Sequence, residues 1–198
     1  LDIDDLAYVI YEADNIAAGA DRREAEGDLN DRGAKFDSDL CLENIFNVFS
    51  GDAEPSYFSL RELDAMKKEN FPHGNKSIAT QGQYASIMRY MEKNFRMKSP
   101  ISMEENELLR ILEDTLIYVP SSTNTEEHAD ISLYDHMKMT GATAAVLMKY
   151  MKTLGITDYK GFCFTHNKEN RNKGVFLMIS GDFSGIQKFI YRIRSEGA

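Results

Sequence analysis

Residues 132–154 decide the fold, and they read SLYDHMKMTGATAAVLMKYMKTL. Apolar residues recur through this segment at the spacing of a helix that buries one side. Ser132 is a good N-cap, Asp135 occupies N3 of a capping-box variant, and Gly155 is a stop signal. We therefore predict the best helix of the chain here, over about Ser132 to Leu154. The residues that mark it are Ala142, Ala145, Val146, Met148, Lys149, Tyr150 and Leu154.

Three more segments outward from this helix have the same periodicity. The first is capped by Asp4 or Asp5 and stops at Gly19, and its stripe is Leu6, Val9, Ile10, Ala13, Ile16 and Ala17. The second carries Tyr84, Ile87, Met88, Met91 and Phe95. The third follows the break at Ser99-Pro100, ends before Pro120 and carries Leu108, Leu109, Ile111, Leu112, Leu116 and Ile117. These patterns predict a mainly α protein, a bundle of several helices with long connectors.

The connectors and the last forty residues differ from the bundle. Residues 20–40 are polar and aperiodic, so we expect a loop, whereas Ile45–Phe49 is a short apolar run that fits a strand or a buried turn. Val175–Ile179 has the continuous apolar character of a central strand. The turn Gly181–Gly185 and a stripe formed by Ile186, Phe189, Ile190 and Ile193 follow it. A strand, turn and helix in this order predict the start of an α/β-type domain, so we divide the chain into 1–158 and 159–198.

Composition narrows the class of protein. The 198 residues carry a formal net charge of -9, and residues 1–64 hold 17 acids against 5 bases. An acidic front half disfavours bulk attraction to nucleic acid. Two explanations of its many acids remain, a solvated loop or carboxylates that hold a metal.

Two distant cysteines, Cys41 and Cys163, argue against a disulfide scaffold and favour a reducing cytoplasm. No apolar run reaches the roughly 18 residues of a membrane span. The initial Leu1 suggests a piece of a longer polypeptide.

Two side chains are candidate metal ligands. Asp14 lies beside the apolar stripe of the first helix, where a carboxylate is costly unless it is paired, hydrogen-bonded or bound to metal. The alternative is a surface Asp, or one bonded to Arg22 or Arg23. His136 lies in the first turn of the long helix and can ligate a metal through one ring nitrogen. The alternative is a structural or solvent-facing histidine, and no HxxxH or HExxH motif accompanies it.

A third candidate is the turn that contains Asp182, Ser184 and Gly185. It follows the predicted strand and opens a helix, where backbone N–H groups can cradle a phosphate and an acid can hold Mg²⁺. The GK[ST] element of a P-loop is absent, and a purely structural turn explains the pattern as well. The nearby bases at positions 188, 192 and 194 fit either contacts to RNA or a partner, or a solvated helix face.

Five blocks of sequence together resemble one family in order. They are YEADNIAAGADRR at 11–23, IFNVF at 45–49, VPSSTNT at 119–125, DISLYDH at 130–136 and GDFSGIQKFIY at 181–191. The chain resembles, from end to end, the large subunit of type III-A CRISPR effector (Csm) complexes. That resemblance implies an HD-type domain that cuts single-stranded DNA with a divalent metal (Mn, Ni or Mg). It also implies ferredoxin-like palm domains, which make cyclic oligoadenylates from ATP.

The resemblance also assigns parts and partners. The chain matches the later HD region and the start of the first palm, so Asp14 and His136 are expected metal ligands, and Asp182, Ser184 and Gly185 are expected near the nucleotide. Implied partners are the other Csm subunits, crRNA, target RNA and single-stranded DNA, in the cytoplasm and without a membrane. The family's central His-Asp pair, its Gly-Gly-Asp-Asp motif and its zinc-binding cysteines are not in this sequence, so the fragment alone is expected to be inactive. Two alternatives remain, a catalytically silent scaffold module and an ordinary HD phosphohydrolase.

Overall fold

The computed structural model of the protein describes residues 1–21, 35–49, 54–64, 70–74, 78–179 and 181. Most of the predicted loop at 20–40 lies outside these residues. The same holds for the predicted helix after Gly185 and for the candidate residues Asp182, Ser184 and Gly185.

Helices dominate the described structure, so the prediction of a mainly α protein is confirmed. In chain order they are α1 (Leu6–Asp21), α2 (Gln81–Met97), α3 (Glu105–Leu116), α4 (Leu133–Leu154) and the short α5 (Asn167–Asn170). Two 3-10 turns, Ile45–Phe49 and Pro100–Ser102, and one π-turn, Gly161–Thr165, connect them. The β structure of the described residues consists of isolated antiparallel bridges, such as Pro120 with Ser132.

The ends of α4 form as predicted, but its buried side is a different one. The Ser132 hydroxyl accepts from the Asp135 backbone N–H at 3.0 Å, and Gly155 ends the helix in the left-handed region at φ 67°. The residues that α4 buries are Tyr134, Thr143, Ala144, Leu147 and Met151, whereas Ala142, Ala145 and Val146 are exposed. Steps of three and four residues from Ala144 reach Leu147 and Met151, so the predicted set mixed two faces of the helix.

Helix α1 begins as predicted and continues past its predicted end. The Asp5 carboxylate accepts from the Ala7 backbone N–H at 2.9 Å, which confirms the N-terminal cap. The helix then runs through Gly19 to Asp21, so Gly19 is not the stop. Gly155 is the glycine with positive φ among the described residues, and a left-handed residue is what ends a helix at a glycine. Leu6 and Ile10, predicted on the apolar stripe, are exposed.

Two hydrophobic clusters form the core, and α4 contributes to both. The first includes Tyr134 from the amino-terminal end of α4. Its members are Cys41, Leu60, Ala79, Ile87, Leu116, Val119 and Tyr134. The second joins α1, the carboxyl-terminal half of α4 and the π-turn, and comprises Val9, Ala13, Ala144, Leu147, Met151 and Cys163. Because α4 contributes to both clusters, it fixes where α1 lies relative to the connectors.

The predicted strand at residues 175–179 does not form, and Ile45–Phe49, for which the sequence left a strand or a buried turn open, is a turn that is not buried. Ile45–Phe49 is a 3-10 turn whose apolar side chains are exposed, because the side chains of Asn44 and Asn47 bond Ser56 and the chain closes locally. Residues 175–179 have no regular structure, and Leu177 and Ile179 are more than 80% exposed (81% and 84%). A strand needs a neighbour to pair with, and no described residue pairs with this segment. The domain boundary at 158/159 stays a prediction, although Tyr159 and Phe162 pack on the second cluster.

Candidate metal site between α1 and α4

Close packing of α1 on α4 positions the candidate residues. Val9 and Ala13 of α1 share the second cluster with Ala144, Leu147 and Met151 of α4. Alanine has no side chain beyond Cβ, so two helix backbones can approach closely where alanines face each other. The helix pair is therefore held by contacts that do not involve polar side chains, and those side chains are placed at its edge.

Asp14 and His136 are brought together at that edge. The His136 Nε2 atom lies 2.9 Å from the Asp14 Oδ1 atom, across 122 residues of sequence. The imidazole is mostly buried, with 14% of its side chain exposed, whereas 57% of the Asp14 side chain is exposed. The carboxylate is therefore the solvent-exposed member of the pair. The two side chains lie close enough to share one metal ion, as the sequence hypothesis requires.

The start of α4 is fixed independently of this contact. The Leu133 backbone N–H donates to the Val119 carbonyl at 2.7 Å, and the Ser121 N–H donates to the Ile131 carbonyl at 2.9 Å. The Ser132 cap then sets the first turn, in which the His136 N–H donates to the Ser132 carbonyl at 3.0 Å. The imidazole is thus carried by a rigid helix start rather than by a loop, as a ligand position requires.

The donor set fits a divalent ion in part. Two ligands at right angles on an octahedral ion, each with a bond of about 2.1 Å, lie about 3 Å apart, close to the Asp14–His136 separation. A neutral imidazole nitrogen and a carboxylate oxygen are ligands that Mn²⁺, Ni²⁺ and Zn²⁺ all accept. Within the part of the chain that the structure describes, no group of three or more His, Cys, Asp or Glu side chains is placed to hold a metal. The pair therefore supplies two ligands, and its metal role stays a prediction.

The argument that a buried carboxylate needs a partner applies to Glu12 rather than to Asp14. The Glu12 side chain is 5% exposed and receives two hydrogen bonds from the Arg171 guanidinium, at 2.6 Å and 2.8 Å. Asn167 adds a third bond at 3.3 Å. The signal was present in the sequence, because Glu12 follows Val9 by three residues and precedes Ile16 by four, on the apolar side.

This buried ion pair adjoins a cavity of about 360 Å³. The cavity is lined by Glu12, Ile16, Leu147, Phe162, Asn170, Arg171, Lys173, Gly174, Val175 and Phe176. Its polar side chains bond one another, since Lys173 donates to Asn170 and Asn170 donates to the Phe162 carbonyl. Hydrogen bonding to Glu12 raises the pKa of Arg171, and burial, with a smaller effect of Glu12, raises the pKa of the Cys163 thiol to about 11. These groups serve structure, because each is already satisfied.

Comparisons with known proteins agree on one family. The model of Csm1 subunit domain B matches residues 175–198. The CRISPR system single-strand-specific deoxyribonuclease Cas10/Csm1 (subtype III-A) of Streptococcus thermophilus is 37% identical over 98% of this chain and 26% of its own length. The protein of the same name from Mycobacterium tuberculosis strain H37Rv is 36% identical over 97% of this chain and 23% of its own length.

A solved structure agrees on the fold. A chain in the crystal structure of a Csm1-Csm4 cassette in complex with cA4 superposes with a TM-score of 0.52, at 24% identity, over 72% of this chain and 16% of that chain. The class defined by fold and sequence is therefore that of the large subunits of CRISPR effector complexes. The chain belongs to the Cas10/Csm1 family of subtype III-A, and it spans about a quarter of the length of the curated relatives it matches.

Proposed function

We propose that this chain is the part of a subtype III-A CRISPR large subunit that supplies two metal ligands to a single-stranded DNA nuclease. The single observation that carries the proposal is the 2.9 Å approach of His136 Nε2 to Asp14 Oδ1, from two separate helices. The names of the curated relatives, single-strand-specific deoxyribonucleases, support the reaction and the substrate class.

Each residue of the pair has a distinct role in this proposal. His136 presents Nε2 from a capped helix start, so its ring orientation is set before any ion binds. Asp14 is the more exposed partner, with 57% of its side chain exposed, so its carboxylate is accessible to a shared ion or to a water molecule. A divalent ion held here supplies Lewis-acid polarisation of a phosphodiester and a more acidic bound water. The remaining ligands come from outside the described residues.

The proposal extends to a second activity and to partners. A ferredoxin-like palm that begins near the end of the chain would place Asp182, Ser184 and Gly185 beside ATP for cyclic oligoadenylate synthesis. The match of residues 175–198 to Csm1 subunit domain B supports a change of domain at this end. Other Csm subunits, crRNA and target RNA are the partners implied, in the cytoplasm. No helix of the described residues is long and apolar enough to span a bilayer.

The test uses the full-length protein with Asp14→Ala or His136→Ala. Loss of one ligand should lower Mn²⁺- or Ni²⁺-stimulated cutting of single-stranded DNA by about a hundredfold, and calorimetry should show weaker Mn²⁺ binding. Asp4→Ala is the matched control, an exposed acid before α1, and it should leave both unchanged. Undiminished cutting and Mn²⁺ binding in both ligand variants would contradict the assignment. Absence of any Mn²⁺ binding by the unaltered protein would favour the scaffold alternative.

A further inference from the structure

Helix α2 has a basic face that stands out in an acidic protein. Its three bases, Arg89, Lys93 and Arg96, follow one another at four and three residues, so they project from one side of the helix. Glu92 is the acid of α2, and it pairs with Arg96 at 3.3 Å. Among the described residues neither Arg89 nor Lys93 has a carboxylate partner. We call these three residues the basic face of α2.

The helix is anchored on its opposite side, so this face is displayed to solvent. Ile87 is buried in the first core cluster, with Tyr84 and Met91 packed against it. At 100° per residue Ile87 lies about 160° round the helix from Arg89. The capping box of Thr80 and Gln83 fixes the first turn. The basic face is therefore held on a rigid element, with the Cβ atoms of successive bases about 5–6 Å apart.

The long side chains of this face surround a shallow, open concavity of about 430 Å³. It is lined by Arg89, Glu92, Lys93, Arg96 and Met97, all on α2. Upstream on the same side the helix carries Gly82, Ala85 and Ser86, which are exposed and add neither bulk nor charge. A chain-like ligand can therefore lie along the helix beyond the three bases.

Charge and shape together favour one ligand. The protein has a net charge of -9, so a polyanion is attracted where bases outnumber acids, as the three bases on this face outnumber Glu92. Bases that recur along one exposed helix face match the repeating phosphates of a single strand, which bind through charge and not through base sequence. Ile87 of α2 and Tyr134 of α4 share one core cluster, so α2 and the start of α4, which carries His136, pack on the same core.

We propose that the basic face of α2 binds the phosphodiester backbone of a single-stranded nucleic acid. The inference deepens the proposed nuclease function, on which its biological meaning rests. The face is a binding site and not a catalytic one, since it contacts phosphates away from the bond that is cut.

The test measures binding without metal, so that it does not depend on cutting. Fluorescent oligo-dT and oligo-rU of fifteen nucleotides are titrated with the full-length protein in EDTA at several salt concentrations. The triple variant Arg89→Ala, Lys93→Ala, Arg96→Ala should bind oligo-dT more weakly, and the slope of log Kd against log salt should fall by about 2, since each lost phosphate contact removes about 0.7. Arg89→Lys with Arg96→Lys should retain binding, because charge and not shape is recognised.

A matched control separates the face from overall charge. The triple variant Arg110→Ala, Lys149→Ala, Lys152→Ala removes three exposed bases from α3 and α4 and should leave the slope unchanged. Equal losses in both triple variants, or no loss in the α2 variant and in Lys93→Glu, would overturn the proposal. Loss for oligo-dT alone would identify DNA as the source of the backbone, and loss for oligo-rU alone would identify RNA. Because binding is measured in EDTA, where no metal-dependent cutting occurs, a failure of the nuclease proposal is seen separately.

Discussion

Two carboxylates two residues apart on α1 differ in burial and in bonding partners. Glu12 is buried and held by the Arg171 guanidinium in two parallel bonds, whereas Asp14 is more than half exposed and meets one imidazole nitrogen. Two residues correspond to about 200° of helix rotation, so the two acids face different neighbours. Glu12 faces the segment that leads to residues 171–176, and Asp14 faces the first turn of α4.

The contrast shows how burial separates a fully hydrogen-bonded carboxylate from one that is open to a ligand. Every oxygen of Glu12 has a donor, so the group has no capacity left for a ligand. Asp14 meets the His136 imidazole through Oδ1, and 57% of its side chain is open to solvent. A site that binds an ion needs the second arrangement, because a fully satisfied carboxylate would have to break its own bonds first.

Breaking the buried Glu12–Arg171 ion pair is expected to have the largest effect on stability. Arg171→Ala leaves the Glu12 carboxylate buried with one long bond, and we expect a loss of about 3 kcal/mol in the free energy of unfolding. This is the lower end of the range for buried pairs, since the arginine side chain is 42% exposed. Urea unfolding of the full-length protein, followed by intrinsic tyrosine fluorescence, measures the change.

A double variant provides the control for that loss. Glu12→Leu combined with Arg171→Met removes both charges, and it should be more stable than Arg171→Ala alone, because no uncompensated charge remains in the interior. If both variants lose the same free energy, then packing and not the orphaned charge explains the effect. If neither loses stability, Glu12 does not hold the segment.

The sequence is sufficient to predict where the helices lie, but not which side of each helix is buried against the rest of the protein. Ser132, Asp135 and Gly155 mark the two ends of α4, because caps depend on a few neighbouring residues. Which side is buried depends on elements far along the chain, and Ala142 and Val146 are apolar yet face outward. Ile45–Phe49 shows the same limit, since its bonds to Ser56 override the strand preference of its side chains.

For the candidate site, the sequence identified the residues, and the structure supplied the geometry. The local patterns and the family resemblance both indicate Asp14 and His136 as candidate ligands, but nothing in those patterns shows that they approach each other across 122 residues. The pair of Glu12 and Arg171, separated by 159 residues, could not be predicted from the sequence for the same reason. Spacing reveals which face of a helix a residue occupies, but only packing reveals what lies opposite.

A smaller effect is expected from the thiol beside the buried pair. Burial, and to a lesser extent Glu12, raises the pKa of Cys163 from its ordinary value of 9.0 to about 11. Since the folded pKa lies above the unfolded one, the stabilisation is complete below about pH 9 and is lost as the pH rises towards 11. Between pH 8 and pH 10.5 the unaltered protein should therefore lose more stability than Cys163→Ala.

The comparison between variants isolates the thiol from other groups. Burial also raises the pKa values of Tyr57, Tyr84 and Tyr118, and these tyrosines titrate equally in both proteins. A second variant, Glu12→Gln, should lower the pKa of the Cys163 thiol, as read from thiolate absorbance at high pH. Equal pH dependence of the unaltered protein and Cys163→Ala would show that the thiol is not desolvated as the structure places it.

The smallest effect on stability is expected at Asp14, where the largest effect on activity is proposed. Asp14→Asn keeps the size of the side chain and an oxygen that can accept from His136, and the site is open to water, so the free energy of unfolding should change by less than about 0.5 kcal/mol. Metal binding should nevertheless weaken, because a neutral amide is a poorer ligand than a carboxylate. Urea unfolding and Mn²⁺ calorimetry on the same preparation separate the two quantities. A large loss of stability with unchanged Mn²⁺ binding would reverse the contrast with Glu12 and make Asp14 a structural residue.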